Sequence, residues 1–438
     1  MRGKRILISF IVVIAIFLCG TLGFSLLRDD DRYKYFTGLG SSFDISPDDT
    51  QYVFSYYLDG SEAIFITDID GKKVKRMTNS ETERHHSPKY SRDGAKILFL
   101  SKNQKGINSL YVANTDGSNQ KKLTSKKIHV SNAVFSSDGE LIYYVGMPAK
   151  DFLKDEGETK EGLDLFSIEI SGGQIRQLTD KDYFNMDSLS LSPDGKELYY
   201  SLFDGSRERI TSFSLHNRGE KDATFSRLLP QDGYTFQLSA DGSKFAYTAI
   251  SKESKDTSLY KYELFLSNLE KGNTKRLTNL DSSIESPRFF HDGSQMAFLE
   301  NSNWPNEPAK YKFYTLDLNT ESVQELPLDL PTNNGSSHWF MQWVDQLVNR
   351  VTIISLYIVF FGSLVTYQYY FSEKRRTYFP AIISLYLSVA VIISSIVAAF
   401  VFNPWIGIAL GMVAVALFGS TITVFAYAFV LGLIRKRT

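Results

Sequence analysis

The sequence is short of several features that would signal a familiar class of protein. Its 438 residues contain one cysteine, Cys19, so no disulfide can form within the chain. Lysine plus arginine number 48 against 49 for aspartate plus glutamate, which leaves no overall positive field for nucleic acid. No Gly-x-Ser-x-Gly sequence occurs, so the nucleophile elbow of an α/β-hydrolase is excluded. We therefore expect neither a disulfide scaffold, nor a nucleic-acid-binding protein, nor a serine peptidase.

Charged residues and histidine are also missing from four long apolar runs, at residues 6–27, 351–371, 379–402 and 405–434. Each run exceeds the roughly 18 residues needed to cross the hydrocarbon core of a bilayer. We predict four α-helical transmembrane segments, one N-terminal and three C-terminal, in an integral membrane protein. A cleaved signal peptide is the alternative for the first run, but its length and the lack of an Ala-x-Ala-like site favour a retained helix.

The charges beside these runs predict their orientation. Basic residues precede the first run, separate the second from the third, and follow the fourth. They are Arg2, Lys4 and Arg5, then Lys374, Arg375 and Arg376, then Arg435, Lys436 and Arg437. By the positive-inside rule, both termini and the 373–377 loop lie in the cytoplasm. The long segment between the first two runs is then extracytoplasmic, and we expect the protein in the plasma (cytoplasmic) membrane.

That long segment repeats one short phrase six times: a strand, then a tight turn with the pattern Ser-x-Asp-Gly. The turns are Ser46-Pro47-Asp48-Asp49, Ser91-Arg92-Asp93-Gly94, Ser136-Ser137-Asp138-Gly139, Ser192-Pro193-Asp194-Gly195, Ser239-Ala240-Asp241-Gly242 and Phe290-His291-Asp292-Gly293. Successive turns are 45, 45, 56, 47 and 51 residues apart. A period of this length with several strands per copy is typical of β-propeller blades.

Each copy contains signals for four strands. Beyond each turn an aromatic residue occupies the second strand, with a large apolar residue two positions earlier on the same face. The aromatics are Phe54, Phe99, Tyr144, Tyr200, Tyr247 and Phe298. A third strand follows, and a short fourth strand ends in pairs such as Leu123-Thr124, with Leu228 as the corresponding residue of the fourth copy. We predict an all-β six-bladed propeller joined to the transmembrane helices.

The turns and the Leu-Thr endings resemble those of the TolB-like family, the PD40 branch of the WD40-like repeats. One example is the stretch from Leu110 to Gly117, which continues to Leu123-Thr124. All six copies of the repeat are detectable over residues 37–330. This chain departs from TolB in lacking an α/β domain before the propeller and in carrying membrane spans after it. The periplasmic lipoprotein partner of that family is therefore not carried over.

Two positions of the entrance strand predict a central channel. Four residues before each turn stands a small polar residue, as expected where strands crowd around an axis: Ser42, Ser87, Asn132, Ser188, Thr235 and Ser286. Five residues before it stand Ser41, His86, Ser131, Asp187, Tyr234 and Glu285. We expect these to ring one mouth of the channel, with His86, Asp187, Tyr234 and Glu285 as candidate ligand-binding residues.

The alternative interpretation of this ring is a metal site formed by His86, Asp187 and Glu285. These side chains are ordinary metal ligands, and they come from alternate copies of the repeat. Some propeller lyases that resemble the family hold a metal in that region. We favour a hydrated polar mouth and expect no metal and no cofactor. Asp68-Ile69-Asp70-Gly71 lacks the ligand pattern of a calcium loop and is expected to be a hairpin turn.

Three features outside the repeat complete the prediction. The third copy carries a charged, loop-like insert at 148–162, expected to be a partner contact or a solvated hairpin. Residues 33–36 are a candidate for an extra strand that closes the ring, although each copy already has four strands. After the polar linker 331–337, Trp339, Trp343 and Leu347 belong to one apolar helical stripe, which predicts an amphipathic helix at the membrane–water interface.

The expected domains are an N-terminal tip and helix at 1–32, the propeller at 33–330, the linker and interfacial helix at 331–350, and three transmembrane helices at 351–438. Apart from the bilayer, we expect a protein, peptide or envelope-polymer partner bound by the propeller as a binding or scaffolding module without catalytic activity. The alternative is an extracytoplasmic glycan lyase or hydrolase with its site at the channel mouth. The oligomeric state stays open.

Overall fold

The computed structural model describes residues 2–29, 31–155, 157–332, 338–372 and 376–437. The chain divides into two compact units. One is Arg32–Gly335, and the other combines Met1–Asp31 with Ser336–Thr438. The first unit is built of β-strands and the second of helices.

The described residues of the first unit contain 24 strands, which fall into six four-stranded antiparallel sets that we call blades one to six. Blades one and two are β1–β4 (Gly38–Ile45, Gln51–Leu58, Ser61–Asp68, Lys75–Arg76) and β5–β8 (Arg84–Tyr90, Lys96–Lys102, Asn108–Asn114, Lys121–Lys122). Blade three is β9–β12 (Ile128–Phe135, Leu141–Pro148, Asp164–Glu169, Arg176–Gln177), with helix α2 (Ala149–Phe152) after its second strand. Blade four is β13–β16 (Asp187–Leu191, Glu197–Phe203, Glu208–Ser214, Glu220–Asp222). Blades five and six are β17–β20 (Gly233–Leu238, Lys244–Ile250, Tyr262–Asn268, Thr274–Arg276) and β21–β24 (Ser283–Phe289, Gln295–Asn301, Tyr311–Asp317, Val323–Glu325).

The blades stand in a closed ring. The first strand of each blade contacts the first strand of the next, and β21 of blade six returns to β1 of blade one. Six buried apolar clusters each combine residues of two neighbouring blades. The predicted second-strand aromatics are all buried in these clusters, so the hydrophobic core lies between the blades and its burial holds the ring together.

Local hydrogen bonds explain the sequence of the repeated turn. In the first five copies the serine hydroxyl donates to the aspartate carboxylate at 2.5–2.7 Å and accepts the backbone N–H five residues on at 2.9 Å. The bond from serine holds the pKa of each aspartate below its usual range. Glycine follows because the backbone turns left-handed there, with φ near +70° at Gly94 and Gly242.

The Leu-Thr endings have a similar local cause. The threonine hydroxyl accepts the backbone N–H of the third strand, as Thr78 does from Ile64 at 3.0 Å and Thr124 from Leu110 at 2.9 Å. In blade four Ser226 takes this role toward Ile210, and the fourth strand ends at Asp222. The prediction that this strand ends at Leu228 is wrong, because serine replaces threonine and Leu228 lies in a 3₁₀ turn, Ser226–Leu228.

The first turn, in which Asp49 stands in place of the usual glycine, helps to close the ring. Asp49 adopts φ +57°, and its carboxylate accepts the backbone N–H groups of His291 at 2.8 Å and Asp292 at 2.9 Å. These are residues of the blade-six turn, so the substitution ties blade one to blade six. Ser286 adds a bond from its hydroxyl to the Ser41 carbonyl at 2.7 Å.

The segments flanking the repeat strengthen the same junction. Residues 33–36, the candidate for an extra strand, form a turn in which Tyr33 stacks on Tyr57 with ring centroids 4.9 Å apart. Beyond β24, the Asp329 N–H donates to the Gly71 carbonyl and the Tyr56 hydroxyl to the Pro331 carbonyl, at 2.9 and 2.8 Å. No strand is therefore exchanged between blades within the described part of the ring.

We expect Asp49→Gly to destabilise the propeller by about 1–2 kcal/mol, although it restores the usual turn residue. Glycine adopts the left-handed backbone more easily than aspartate. The variant nevertheless loses the carboxylate that accepts the backbone N–H groups of His291 and Asp292, so these two donors lose their partner. Asn119→Gly is the matched control, because Asn119 is exposed and also has positive φ. Denaturant unfolding of the purified chain measures both variants, and a stability of Asp49→Gly equal to that of Asn119→Gly would contradict the closure role.

The described residues of the second unit contain four helices that are long and apolar enough to cross a membrane, by length and composition. They are α1 (Arg2–Leu27), α4 (Arg350–Phe371), α5 (Phe379–Val401) and α6, which covers Pro404–Arg437. A shorter helix, α3 (Trp339–Leu347), precedes α4. Of the predicted flanking charges and linker, Lys374, Arg375 and residues 333–337 lie outside the described residues.

Small residues bring α5 and α6 together. Gly407 of α6 lies so close to α5 that an added Cβ would meet the Ala399 side chain at 2.4 Å. The Ser395 hydroxyl donates to the Gly407 carbonyl at 2.7 Å, and Gly411 faces the same serine. Buried hydroxyls of Ser384, Ser388 and Thr421 bond to one another at 2.6–2.9 Å further along the same pair. The Gly-x-x-x-Gly pair therefore packs two helices of one chain.

Candidate functional site: the channel and its aromatic mouth

A cavity of about 650 Å³ runs along the ring axis between the first strands of the six blades. The six small polar residues that the sequence places four positions before each turn all line it. This confirms the prediction that small polar side chains accompany the convergence of the entrance strands. The cavity extends from Ser41, Asp187 and Tyr234 at one end to the turn residues Ser137, Pro193 and His291 at the other.

The entrance strands are irregular at this position. Pairing with the second strand shifts register between His86 and Lys89 and again between Glu285 and Arg288. The serines in these gaps, Ser87 and Ser286, have left-handed backbones with φ of +53° and +52°. Such bulges change the direction of neighbouring side chains, so a residue near the gap need not follow strict alternation.

The four candidate ligand-binding residues separate into two pairs. Asp187 and Tyr234 line the cavity, and enclosure by protein raises the pKa of both. His86 instead bonds to Asn108 at 3.1 Å and to Ser87 at 2.9 Å, and its burial lowers the pKa to about 4. Glu285 accepts a bond from the Tyr311 hydroxyl at 2.8 Å in its own blade. The structure does not bring the four together around one ligand position.

The possibility of a metal at this mouth can be tested against the same residues. Among the described residues, no group of three or more His, Cys, Asp or Glu side chains is arranged to hold a metal ion. His86 of blade two and Glu285 of blade six are each engaged by a neutral partner within their own blades. The residues present therefore do not fit a metal centre built on His86, Asp187 and Glu285.

A second set of channel residues was missed from the sequence. Two positions before each turn stand Asp44, Lys89, Val134, Ser190, Gln237 and Arg288, and all six line the cavity. The signal was available, because residues two and four positions before the turn lie on one face of a strand. Applying that alternation to the small polar position would have identified them.

The cations of this set are held inside the ring. Lys89 donates to the Asn132 side chain at 3.1 Å and, across the channel, to the Leu189 carbonyl of blade four at 3.2 Å. Arg288 lies 3.7 Å from the Asp44 carboxylate and donates to the Pro287 carbonyl at 3.1 Å. Burial, reinforced by Arg288, lowers the pKa of Lys89 to about 7, and burial also lowers the pKa of Arg288.

Exposed aromatic side chains of blades four to six lie at the same end of the ring as Asp187. We call them the aromatic face: Phe184, Phe203, Tyr234, Tyr260 and Trp304. Phe184 and Phe203 are 83% and 49% exposed. Strand pairing places all five at this end, since Asp187 pairs with Ser201 and Ser283 pairs with Asn301.

Part of the aromatic face is held in place by ring contacts. Tyr262 packs edge-on against Tyr234 and against Trp304, with centroids 5.5 and 6.0 Å apart. The Trp304 indole N–H donates to the Tyr260 carbonyl at 2.9 Å. Blades five and six therefore present a fixed aromatic surface.

The insert at 148–162 is more ordered than its charged sequence suggests. It begins with the helical turn α2, and the Asp151 carboxylate is buried, accepting bonds from Lys154 and the Lys160 backbone. Phe152 stacks on His129 with centroids 3.6 Å apart. Beyond α2 the described residues of the insert form turns and irregular segments, as its loop-like sequence predicts, while Asp151 is buried among neighbouring lysines. The insert borders a groove of about 870 Å³ between blades two and three.

Part of the propeller matches a known family model. Residues 30–226 match the model of PD40, the TolB beta propeller domain. That span covers blades one to four, so the chain carries a TolB-like β-propeller together with four helices of membrane-spanning length.

Individual proteins resemble the chain more remotely. The "Uncharacterized peptidase YuxL" of Bacillus subtilis (strain 168) is 26% identical over 144 residues, covering 27% of this chain and 22% of that protein. The chain thus spans about a fifth of this curated relative. TolB from Acinetobacter baumannii is 19% identical, with 65% of each chain covered and a TM-score of 0.49. Oligogalacturonate lyase from Vibrio parahaemolyticus is 12% identical, covering 66% of this chain and 77% of its own, with a TM-score of 0.45.

Proposed function

We propose that the protein is a plasma-membrane protein that holds a TolB-like propeller outside the cytoplasm as a binding or scaffolding module. Its ligand is a protein, a peptide or an envelope polymer. The observation that carries the proposal is the aromatic face, five large aromatic side chains exposed at one end of the ring.

Exposure of these residues is informative because large aromatics normally avoid water in a soluble unit. Single exposed apolar residues are common, but a group of them at one end of a ring is typical of an interaction site. Aromatic residues are enriched at protein interfaces, where they supply contact area at little cost in conformational entropy. Asp187 and Tyr234 border the channel at the same end, so they belong to the proposed binding surface.

The proposed location follows from charge and from helix α3. By the positive-inside rule, the basic residues beside the apolar helices support a topology with both chain termini in the cytoplasm and the propeller outside. Trp339, Phe340, Trp343 and Leu347 of α3 are exposed, which suits a helix lying in the membrane–water interface.

A binding role is favoured over glycan lyase or hydrolase chemistry. General acid–base catalysis needs a group with a pKa near the working pH and within reach of the substrate. Of the four candidate residues at the mouth, only histidine ordinarily titrates near neutral pH, and burial of His86 against Asn108 lowers its pKa to about 4. Tyr234 and Asp187 remain accessible and are suited to contact a ligand.

Site-specific photocrosslinking in membranes tests this proposal. We expect p-benzoylphenylalanine at Phe184 or Phe203 to give one discrete adduct, and the same group at exposed Asn119 on the outer rim to give none. Trp304→Ala should reduce the yield about tenfold or more, because truncating an aromatic hot spot costs about 2 kcal/mol or more. Absence of adducts, or identical adducts from all three positions, would reject the aromatic face as the binding surface.

A further inference from the structure

The channel contains a cationic centre that the aromatic face does not explain. Lys89 and Arg288 both line the cavity, and Asp44 is the carboxylate that faces Arg288. We propose that this centre is a binding site for an oxyanion, a carboxylate or phosphate group, held between Lys89 and Arg288. The site goes beyond the proposed function, because it lies inside the ring and takes a ligand of defined chemistry.

Charge balance is the first argument. Asp44 is 3.7 Å from the Arg288 Nε, too far for a hydrogen bond, and its other oxygen already accepts the Tyr90 N–H at 2.9 Å. One carboxylate therefore faces two half-buried cations in the channel wall. Enclosing like charges is costly unless a counter-charge joins them, and an anion between Lys89 and Arg288 would supply it.

Available donors are the second argument. A guanidinium has five N–H groups, and Arg288 uses one on the Pro287 carbonyl while Nε faces Asp44. Among the described residues its Nη2 has no acceptor. Gln237 accepts the Phe289 N–H through its side-chain oxygen at 3.1 Å, so its amide nitrogen remains as a donor on the same cavity wall. A planar guanidinium beside an ammonium matches the oxygens of a carboxylate or phosphate.

Charged side chains also line the two ends of the channel. At the aromatic end the cavity is lined by Asp187 and Glu208, whose pKa values burial raises. At the turn end it is lined by Arg92 and His291. Asp187 and Glu208 repel an anion at the first end, and the turn aspartates oppose Arg92 at the second, so Lys89 and Arg288 inside the ring are the cations best placed to hold an anion.

Equilibrium dialysis of the full chain in detergent, with radiolabelled inorganic phosphate and radiolabelled succinate, tests the site. We expect saturable binding of one equivalent. Lys89→Met and Arg288→Met should each weaken it at least tenfold, whereas Lys89→Arg should retain most of it. Lys96→Met is the matched control, because Lys96 lies in the same blade, outside the channel, bonded to Asn114 at 3.3 Å. Failure to bind either anion, or equal binding by all variants, would overturn the proposal.

A second pair of probes distinguishes the carboxylate of a peptide C-terminus from a free small anion. A short peptide with a free C-terminal carboxylate is compared with its C-terminal amide. If the peptide acid binds and the peptide amide does not, the channel admits the carboxylate of a chain end. If phosphate and succinate bind but neither peptide does, the ligand is a free small anion. Either result supports the site. Circular dichroism of each variant shows whether the fold is kept, and Lys89→Arg covers the case in which Lys89→Met does not fold.

The pH dependence gives an independent readout. With the pKa of Lys89 at about 7, an anion must recruit a proton to this lysine above that pH, so the affinity for succinate, which stays a dianion over this range, should fall between pH 7 and pH 9. Lys89→Arg should remove most of this fall. The other charged groups that face the cavity are Asp44, Arg92, Asp187, Glu208, Arg288 and His291, and they are common to both proteins. A fall of equal size in both would exclude Lys89 as the group responsible.

Discussion

Replacing Gly407 by leucine should disrupt the helical unit more than any other single substitution considered for it. A Cβ at this position would lie 2.4 Å from the Ala399 Cβ and 2.7 Å from its Cα. Neither atom can move aside without separating α5 from α6, and the bond from Ser395 to the Gly407 carbonyl would be lost. Overpacking of this kind costs about 3 kcal/mol where backbone is involved.

Gly419→Leu provides the control, since it adds the same side chain to the same helix where no atom lies within 4 Å of the added Cβ. Thermal unfolding and size-exclusion profiles of the full chain in detergent compare the two variants. We expect Gly407→Leu to aggregate or melt well below the parent, and Gly419→Leu to match the parent. Indistinguishable behaviour would mean that α5 and α6 do not pack through Gly407.

Replacing Glu62 by glutamine should stabilise the propeller at neutral and alkaline pH. Glu62 is buried in blade one, and that burial raises its pKa from 4.5 to about 7 against the opposing effects of bonds from Tyr57 and Ser55. The folded state therefore holds a proton that the unfolded state has released between these pH values. The resulting stability is present below about pH 4.5 and is lost as the pH rises through 7.

Glutamine resembles the protonated form and does not titrate. The stability difference between Glu62→Gln and the parent should be near zero at pH 4 and about 3 kcal/mol in favour of the variant at pH 8, from 1.36 kcal/mol per pKa unit. Denaturant unfolding over this pH range measures the difference, with exposed Glu81→Gln as control. A difference that does not change with pH would show that Glu62 is ionised in the folded protein.

Local interactions explain why so much of each blade could be predicted from the sequence. The Ser-x-Asp-Gly turn bonds to itself, and the Leu-Thr ending bonds to the adjacent strand, so both recur wherever the residues recur. The buried aromatics follow from period-two alternation. Where one of these residues is replaced, as by Ser226 in blade four, the prediction of the strand end is wrong.

Contacts between distant parts of the chain were harder to foresee. The Asp49 carboxylate binds residues 291 and 292, about 240 positions away, and nothing within its own turn indicates that partner. The bulges at Ser87 and Ser286 change the strand register beside His86 and Glu285, so counting back from the turn did not predict the partners of these side chains. Lys89 and Arg288 were missed for a different reason, since simple alternation would have placed them in the channel.

The location of the propeller outside the cytoplasm is the claim that most of the account depends on, and cysteine labelling tests it directly. In a Cys19→Ser background, a single cysteine replaces Asp116, an exposed turn residue of blade two, or Ser372, at the end of α4. A membrane-impermeant maleimide is applied to intact and to permeabilised cells. We predict that the cysteine at 116 reacts in intact cells and the one at 372 only after permeabilisation. The reverse pattern would place the propeller in the cytoplasm and contradict the account.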